Sequence, residues 1–425
     1  MLYAVFSEQK DRNELFTTHH SLFTFLPFYA KITNMSIIKI NDNSNKLFYI
    51  GGVVRDELLG RESLDVDITY VGNAIEYCSK FGEVVQVNPD FGTVKVAMPS
   101  HPSLCNTHSP IGTMDEVTVD FASTRSESYP QKGHLPVVEK IGCSLKEDVM
   151  RRDFTINALA KSVTTGEIVD YVGGLEDLKN KKLRVLHNKS FIDDPTRIIR
   201  GLKFATRFGF ELEEHTKKLQ VEYLENINYD MSYKRVKKEL IETFSLNSQS
   251  ALQTFIDQKI YKLVTPNDVK IPKVDVEDLI TTYIGKGDCH VAEAPRNDEN
   301  IWLIYVGILG DLSRLPLTKI EQKILDDVPQ KVLKSDFELY KTFQNARIET
   351  VLLYAITKDE TGARHYLDNL RKIKLDITGK DLQALGIKPS PKYQEIFDEV
   401  LKTKLQNPKM TKTEEIKIAK NFLAD

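Results

Sequence analysis

Along the first third of the chain hydrophobic and polar residues alternate in short runs. Beyond residue 145 the apolar positions fall at spacings of three and four. The alternation predicts strands at 37–40 and 46–50 around a polar turn at 41–45. Gly51-Gly52 then punctuates, and 53–59 has helical spacing that Gly60 ends. Further strands are expected at 64–70, 82–87, 93–98 and 116–122, with a short helix at 74–81. Residues 99–114, rich in Pro, Ser, His and Asn, read as an exposed loop. Short strands with one or two helices imply an α+β head on a small mixed sheet. From 145 onward the pattern is almost wholly helical, with helices over 145–160, 195–208, 213–224 and 232–244. Breaks fall around Gly173-Gly174, 266–272 and 286–299, and there is no short-period repeat. Residues 1–34 lack convincing periodicity and read as a loosely attached arm or an over-called start.

A chain of 425 residues is too long for one compact core and implies several modules. With 41% hydrophobic and 28% charged residues it is not a disordered chain. The net charge of −3 does not point to a nucleic-acid binder, but such a site needs only a local basic surface. Lysines gather at 233–238 and 402–420, where a solvated helix face is the default reading. Cys78, Cys105, Cys143 and Cys289 are far apart with no CxxC pair, which excludes a zinc site or disulfide scaffold and suggests a reducing, cytoplasmic setting. No apolar run approaches membrane-spanning length. The apolar stretch 21–30 follows Lys10, Asp11, Arg12 and Glu14, so neither a signal peptide nor a transit peptide is expected.

The segment from Tyr49 to Thr69 carries the richest chemistry. Asp65 and Asp67 are two apart on a predicted strand, so both carboxylates project from one face. Neighbouring carboxylates repel unless a cation sits between them, and magnesium prefers such oxygen ligands. Asp120, in Val-Asp-Phe-Ala, would complete a two-metal set from an adjacent strand. Gly51-Gly52 ends a strand and opens a helix, which lets backbone N–H groups approach phosphate, with Arg55 one turn on. Each motif alone has a bland reading, a turn or a surface pair. Their order and spacing are far more specific.

The run GG-x-V-R-D at 51–56, then L-L-G at 58–60 and D-x-D at 65–67, resembles the DNA polymerase beta-like nucleotidyltransferase superfamily. Within it the chain looks like the bacterial-type (class II) CCA-adding enzymes and poly(A) polymerases. The resemblance continues through Arg151-Arg152-Asp153 to Ala158, through Asp193-Asp194-Pro195 to Arg200, and weakly at Gly379–Leu382. It implies a polymerase-beta-like head at 35–172, a helical neck at 173–245, a body at 246–360 and a tRNA-binding tail at 361–425. It also implies Mg2+ on Asp65, Asp67 and Asp120, with CTP and ATP as substrates and tRNA as partner. Nucleotide contacts fall to Gly51, Gly52, Arg55, Arg151, Arg152, Asp153, Asn157, Asp194, Arg197 and Arg200.

Arg151 to Asp153, read as the start of a helix, would recognise the ribose 2′-hydroxyl, for which carboxylate and guanidinium supply acceptor and donors. Asp194 only accepts and Arg197 only donates, three residues apart at a helix start. Cytosine and adenine present a donor beside an acceptor on their pairing edge, uracil and guanine the reverse. The family is understood to use this pair as an amino-acid template. Asp194 before Pro195 is equally a good N-cap. Arg125, Glu127, Tyr129 and Lys132-Gly133 lie in a polar connection whose family counterpart is mobile and aids the switch from C to A addition. Arg207 and the cluster Lys234, Arg235, Lys237 and Lys238 are expected on the neck's RNA-facing surface. CC-only, A-only and poly(A)-adding relatives share these motifs. The ample loop after Asp120 disfavours a CC-only enzyme, and the lack of an arginine-rich tail disfavours a poly(A) polymerase. An inactive RNA-binding relic would need no such set of retained residues.

Overall fold

Strands β1 (Leu47–Ile50) and β2 (Asp67–Tyr70) pair antiparallel on either side of helix α1 (Gly52–Leu58). The computed structural model describes residues 40, 42–61, 63, 66–99, 116–285 and 300–424. Asp65, the arm at 1–34, the expected strand at 37–39, most of the loop at 99–114 and the break at 286–299 lie outside the described residues.

β1 and β2 sit within a seven-stranded mixed sheet that includes β3 (Glu83–Asn88), β4 (Thr93–Pro99) and β5 (Glu116–Ser123). The order is β3-β4-β5-β2-β1, extended past β1 by β8 (Ala160–Ser162) and β9 (Ile168–Val169). β2 and β5 are parallel, and the other pairs are antiparallel. Ile68, Val94, Val96, Met98, Val119 and Phe121 are buried on one face, against helix α2 (Ala74–Cys78). Period-two alternation therefore turns Asp67, Lys95 and Asp120 to the opposite face. β6 (Arg125–Ser128) and β7 (Val137–Ile141) form a separate hairpin, so the polar connection expected after Asp120 is partly strand.

The long helix expected over 145–160 is not formed. Helix α3 (Leu145–Met150), opened by a capping box from Ser144, stops at Arg151, and the chain returns to the sheet as β8 and β9. Arg151 to Asp153 thus follow the end of a helix and do not begin one. The Asp153 carboxylate accepts from the Phe154 N–H at 2.8 Å and from Asn157 Nδ2 at 3.0 Å, a local bonding pattern that competes with helix continuation. Ala158, Leu159 and Ala160 are then buried without a polar face, which suits an inner strand.

Helices α4 (Gly174–Lys179), α5 (Ser190–Asp193), α6 (Thr196–Phe208), α7 (Glu214–Glu225) and α8 (Tyr233–Phe244) follow. The small parallel pair β10 (Lys182–Leu183) and β11 (Glu211–Leu212) brackets α6. Phe154 meets Phe204 of α6 edge-on at 5.9 Å, making head and neck one continuous core. That core runs on through Trp302, Tyr305, Phe343 and Tyr354 of the later helices. The last helices, Gly379–Ala384, Lys392–Gln406 and Lys412–Ala424, gather around a separate cluster of Ile377, Leu382, Ile396, Val400, Met410 and Ala419. No described helix is long and apolar enough to cross a membrane.

Two lysines expected on solvated or RNA-facing surfaces, Lys237 and Lys404, have turned inward. Lys237 is 12% exposed, donates to Glu321 at 2.6 Å and the Pro316 carbonyl at 3.0 Å, and lies over Trp302. Lys404 is buried between Glu415 and Asp376. Lys234 and Lys238 remain exposed.

Candidate active site

The parallel ladder between β2 and β5 sets Asp67 opposite Asp120, and the antiparallel ladder between β4 and β5 sets Lys95 opposite the same residue. Paired residues share a face, so two carboxylates and one ammonium form a row across three strands. Asp120 is about half exposed and meets Lys95 Nζ at 3.1 Å. Among the described residues no three His, Cys, Asp or Glu side chains gather as a metal cluster. Asp67 and Asp120 are nonetheless hard oxygen donors on one open face, a set that fits magnesium and not a soft metal.

Beside this face lies the turn from β1 into α1. Gly51 has φ 74° and donates its N–H to the Leu159 carbonyl at 3.1 Å. A Cβ there would lie 3.0 Å from Arg152 Nη1, and the positive φ favours glycine, so glycine lets the guanidinium approach without strain. Gly52 opens the helix. Arg55 points inward and is buried: it donates to Asp56 at 2.8 Å and to Asn157 Oδ1, and lies 4.5 Å over the Phe208 ring. Burial pushes its guanidinium pKa down despite Asp56 alongside. In this arrangement Arg55 ties α1 to α6.

Arg151 and Arg152 are anchored by Asp148, a fully buried carboxylate that accepts from Arg151 at 2.8 and 3.0 Å and from Arg152 at 3.3 Å. Burial would raise the Asp148 pKa, but the two guanidinium groups hold it below the usual range. Arg151 also reaches Glu127 at 3.0 Å, joining the β6–β7 hairpin to this segment. Arg152 Nε is buried and meets no hydrogen-bond partner among the described residues. Asp153 is buried against Arg200 at 2.7 and 2.8 Å. Burial alone would push its carboxyl up, yet Arg200 and Asn157 hold it well below the carboxylate range. Arg200 continues to Glu239 at 3.1 Å, which Lys203 meets at 2.7 Å.

Asp194 and Arg197 flank the start of α6, buried at 5% and 3% exposure. They do not bond side chain to side chain. Asp194 accepts from the Thr196 hydroxyl at 2.6 Å and N–H at 3.2 Å, which anchors the first residue of the helix, although Pro195 and not Asp194 is the N-cap. Its other oxygen is held by Arg235 of α8, a residue expected to face RNA that instead points inward. Arg197 donates to Ser190 Oγ at 2.7 Å, the Arg151 carbonyl at 3.0 Å and Tyr129 Oη at 3.2 Å. The stretch between β6 and β7 is docked on the neck. Gly133 exchanges backbone bonds with Asp193 and Ser232 at 3.0 Å each, and Lys132 Nζ meets Asp193 Oδ1 at 2.6 Å. A cavity of about 420 Å³ between this stretch and α3 is lined by Glu127, Tyr129, Arg151, His187 and Asp193.

The structure thus bonds Arg55, Asn157, Asp153 and Arg200 into one patch, sets Arg152 against the Gly51 turn, and links Arg152 through Asp148 and Arg151 to Arg197. Sequence reading missed three partners: Lys95, Asp148 and the inward role of Arg235. The spacing of Asp148 to Arg151 and Arg152, three and four on a helix, was the available signal for one of them.

The poly(A) polymerase head domain family matches residues 47–184. An A-adding tRNA nucleotidyltransferase of Geobacter sulfurreducens is 30% identical over 88% of this chain and 44% of its own length. One of Halalkalibacterium halodurans is 30% identical over 82% of each chain. The chain spans less than half the length of the Geobacter relative. Among solved structures, a CCA-adding enzyme in an apo form superposes with a TM-score of 0.70 at 25% identity, covering 89% of this chain and 91% of that one.

Proposed function

The chain belongs to the tRNA nucleotidyltransferase family with a poly(A) polymerase head, and from that premise we propose that it builds the CCA end of tRNA without a nucleic-acid template. The observation that carries this reading is the buried acceptor–donor pair at the start of α6. Asp194 and Arg197 are desolvated and fixed by Thr196, Arg235, Ser190 and Tyr129. A rigid acceptor beside a rigid donor selects C and A over U and G, because the wrong base leaves buried polar groups unpaired.

In the proposed reaction the tRNA 3′-hydroxyl attacks the α-phosphate of CTP or ATP, forming a phosphodiester and releasing pyrophosphate. Asp65, Asp67 and Asp120 would hold Mg2+, which when bound activates the hydroxyl and neutralises charge on the leaving group. Arg152 lies against the Gly51 turn with a buried, unsatisfied Nε, a donor that a ribose or phosphate oxygen of the nucleotide would satisfy. Asp153 stands ready as an acceptor for the ribose 2′-hydroxyl, and Arg200 acts through it by fixing its carboxylate. The exposed Lys234 and Lys238 and the later helices would meet tRNA through phosphate and 2′-hydroxyl contacts. The head, neck, body and tail divisions at 35–172, 173–245, 246–360 and 361–425 go with this reading.

A second reading, addition of the final A alone, is favoured by the two A-adding relatives at 30% identity. The deciding experiment follows single-nucleotide products on tRNA transcripts ending before CCA, after C and after CC, with Mg2+ and CTP, ATP or both. Three additions and a stop support CCA synthesis; growth of the CC-ended transcript alone makes it an A-adding enzyme. No addition to any transcript by folded protein would leave an RNA-binding relic.

A further inference from the structure

We infer that Lys95 is the resident counter-cation of the carboxylate face: it orients Asp120 and competes with a divalent ion for one of its oxygens. The inference rests on the proposed metal role of Asp67 and Asp120. Lys95 and Asp67 are the cross-strand neighbours of Asp120 on its two sides, so the ammonium completes the row of charges from the outer strand. Its Nζ lies 3.1 Å from Asp120 Oδ2. Strands β2, β4 and β5 contain no other Lys or Arg, so the ammonium is their single cation. An exposed ion pair contributes little to stability. Its effect here is on the charge of Asp120, which it contacts, and on the carboxylate face one inter-strand spacing away.

Two consequences follow. With Oδ2 bonded to the ammonium, Oδ1 is the Asp120 oxygen that a divalent ion would meet without displacing the lysine. The lysine charge would also stand close to an ion held by Asp120 and would repel it. Removing the charge while keeping the side-chain bulk should tighten divalent binding by about threefold to tenfold, the Coulomb effect expected in a wet, partly screened site. A lysine with only a structural role would leave affinity unchanged or weaken it.

The test is Mn2+ binding to the full chain, read by electron paramagnetic resonance without nucleotide. Wild type would be compared with Lys95→Met, Lys95→Arg, Asp67→Asn and Asp120→Asn, and thermal melts would verify each fold. Lys95→Gln replaces the methionine variant if that one melts early. The expected result is tighter Mn2+ binding by Lys95→Met, wild-type binding by Lys95→Arg, and a parallel fall in the Mg2+ needed for half-maximal nucleotide addition. Unchanged or weaker Mn2+ binding by Lys95→Met, with binding lost in Asp67→Asn, overturns this inference and leaves the carboxylate reading standing. Wild-type binding that survives both aspartate changes overturns the carboxylate reading itself.

Discussion

The carboxylate face of the head and the charged pair at the start of α6 handle charge in opposite ways. Asp120 is about half exposed and, among the described residues, has a single ion-pair partner, itself 37% exposed. Asp194 and Arg197 are 5% and 3% exposed, and each makes several short bonds to protein groups. The difference follows from what each must do on the proposed reading. A site that exchanges hydrated cations and phosphates needs water and loosely held carboxylates. A site that tells one base from another needs fixed donors and acceptors in low dielectric, where a mismatch costs most. Openness serves the chemistry, and rigidity serves the choice.

The largest effect should come from the open face. Asp67→Asn is expected to lower single-nucleotide addition by about 1,000-fold or more, since on the proposed reading it loses a metal ligand and with it several kcal/mol of transition-state stabilisation. Its melting temperature should stay near wild type, because the residue is exposed. A comparable fall in stability would break the contrast between the two regions.

Asp153→Asn tests the buried side through pH. The native Asp153 carboxyl is held far below its ordinary value by Arg200 and Asn157 against the cost of burial. Such a group contributes stability above its unfolded pKa of about 4 and loses that contribution as pH falls toward the native value. Asp153→Asn should therefore cost about 3 kcal/mol at neutral pH, as Arg200 keeps only Glu239. The gap between variant and wild type should narrow below about pH 4. Thermal melts from pH 7 to pH 3 measure both, and a gap independent of pH would remove the ion pair as its cause.

Asp194→Asn should reduce discrimination between CTP and UTP by about 100-fold, read as the ratio of their kcat/KM values. An unchanged ratio with reduced stability would make Asp194 an anchor of the helix start and nothing more. The smallest effect is expected where the two regions are joined. Gly133 has φ 78°, and a Cβ there would meet Met231 Cβ at 2.8 Å. Gly133→Val should loosen the stretch between β6 and β7, slow addition by about tenfold and speed amide exchange at 129–136. Normal protection with normal rates would show that docking of this stretch plays no part in catalysis.

Much of the frame was legible in the sequence because short-range pattern carries it. Alternation at 93–98 and 116–122 marked β4 and β5, and Gly51-Gly52 marked the turn into α1. The helix over 145–160 was misjudged because the Asp153 carboxylate accepts locally from the Phe154 N–H and the Asn157 side chain, which outcompetes helical spacing, and no periodicity encodes that. Arg235 and Lys237 look like one basic patch on paper. They separate in space because a helix turns by about 100° per residue and each meets a different buried acid.

The sequence by itself determined the order of elements, the candidate carboxylates, the acceptor–donor pair and the family resemblance, all properties of residue type and spacing along the chain. Only the tertiary structure decided who meets whom: Asp67 beside Asp120 and Lys95, Arg55 turned into the core, Arg235 on Asp194, Tyr129 on Arg197. The physical reason is that strand register and helix packing bring together residues tens of positions apart. At those distances a charge's partner, and hence its role, is fixed by burial and geometry and leaves no local trace in the sequence.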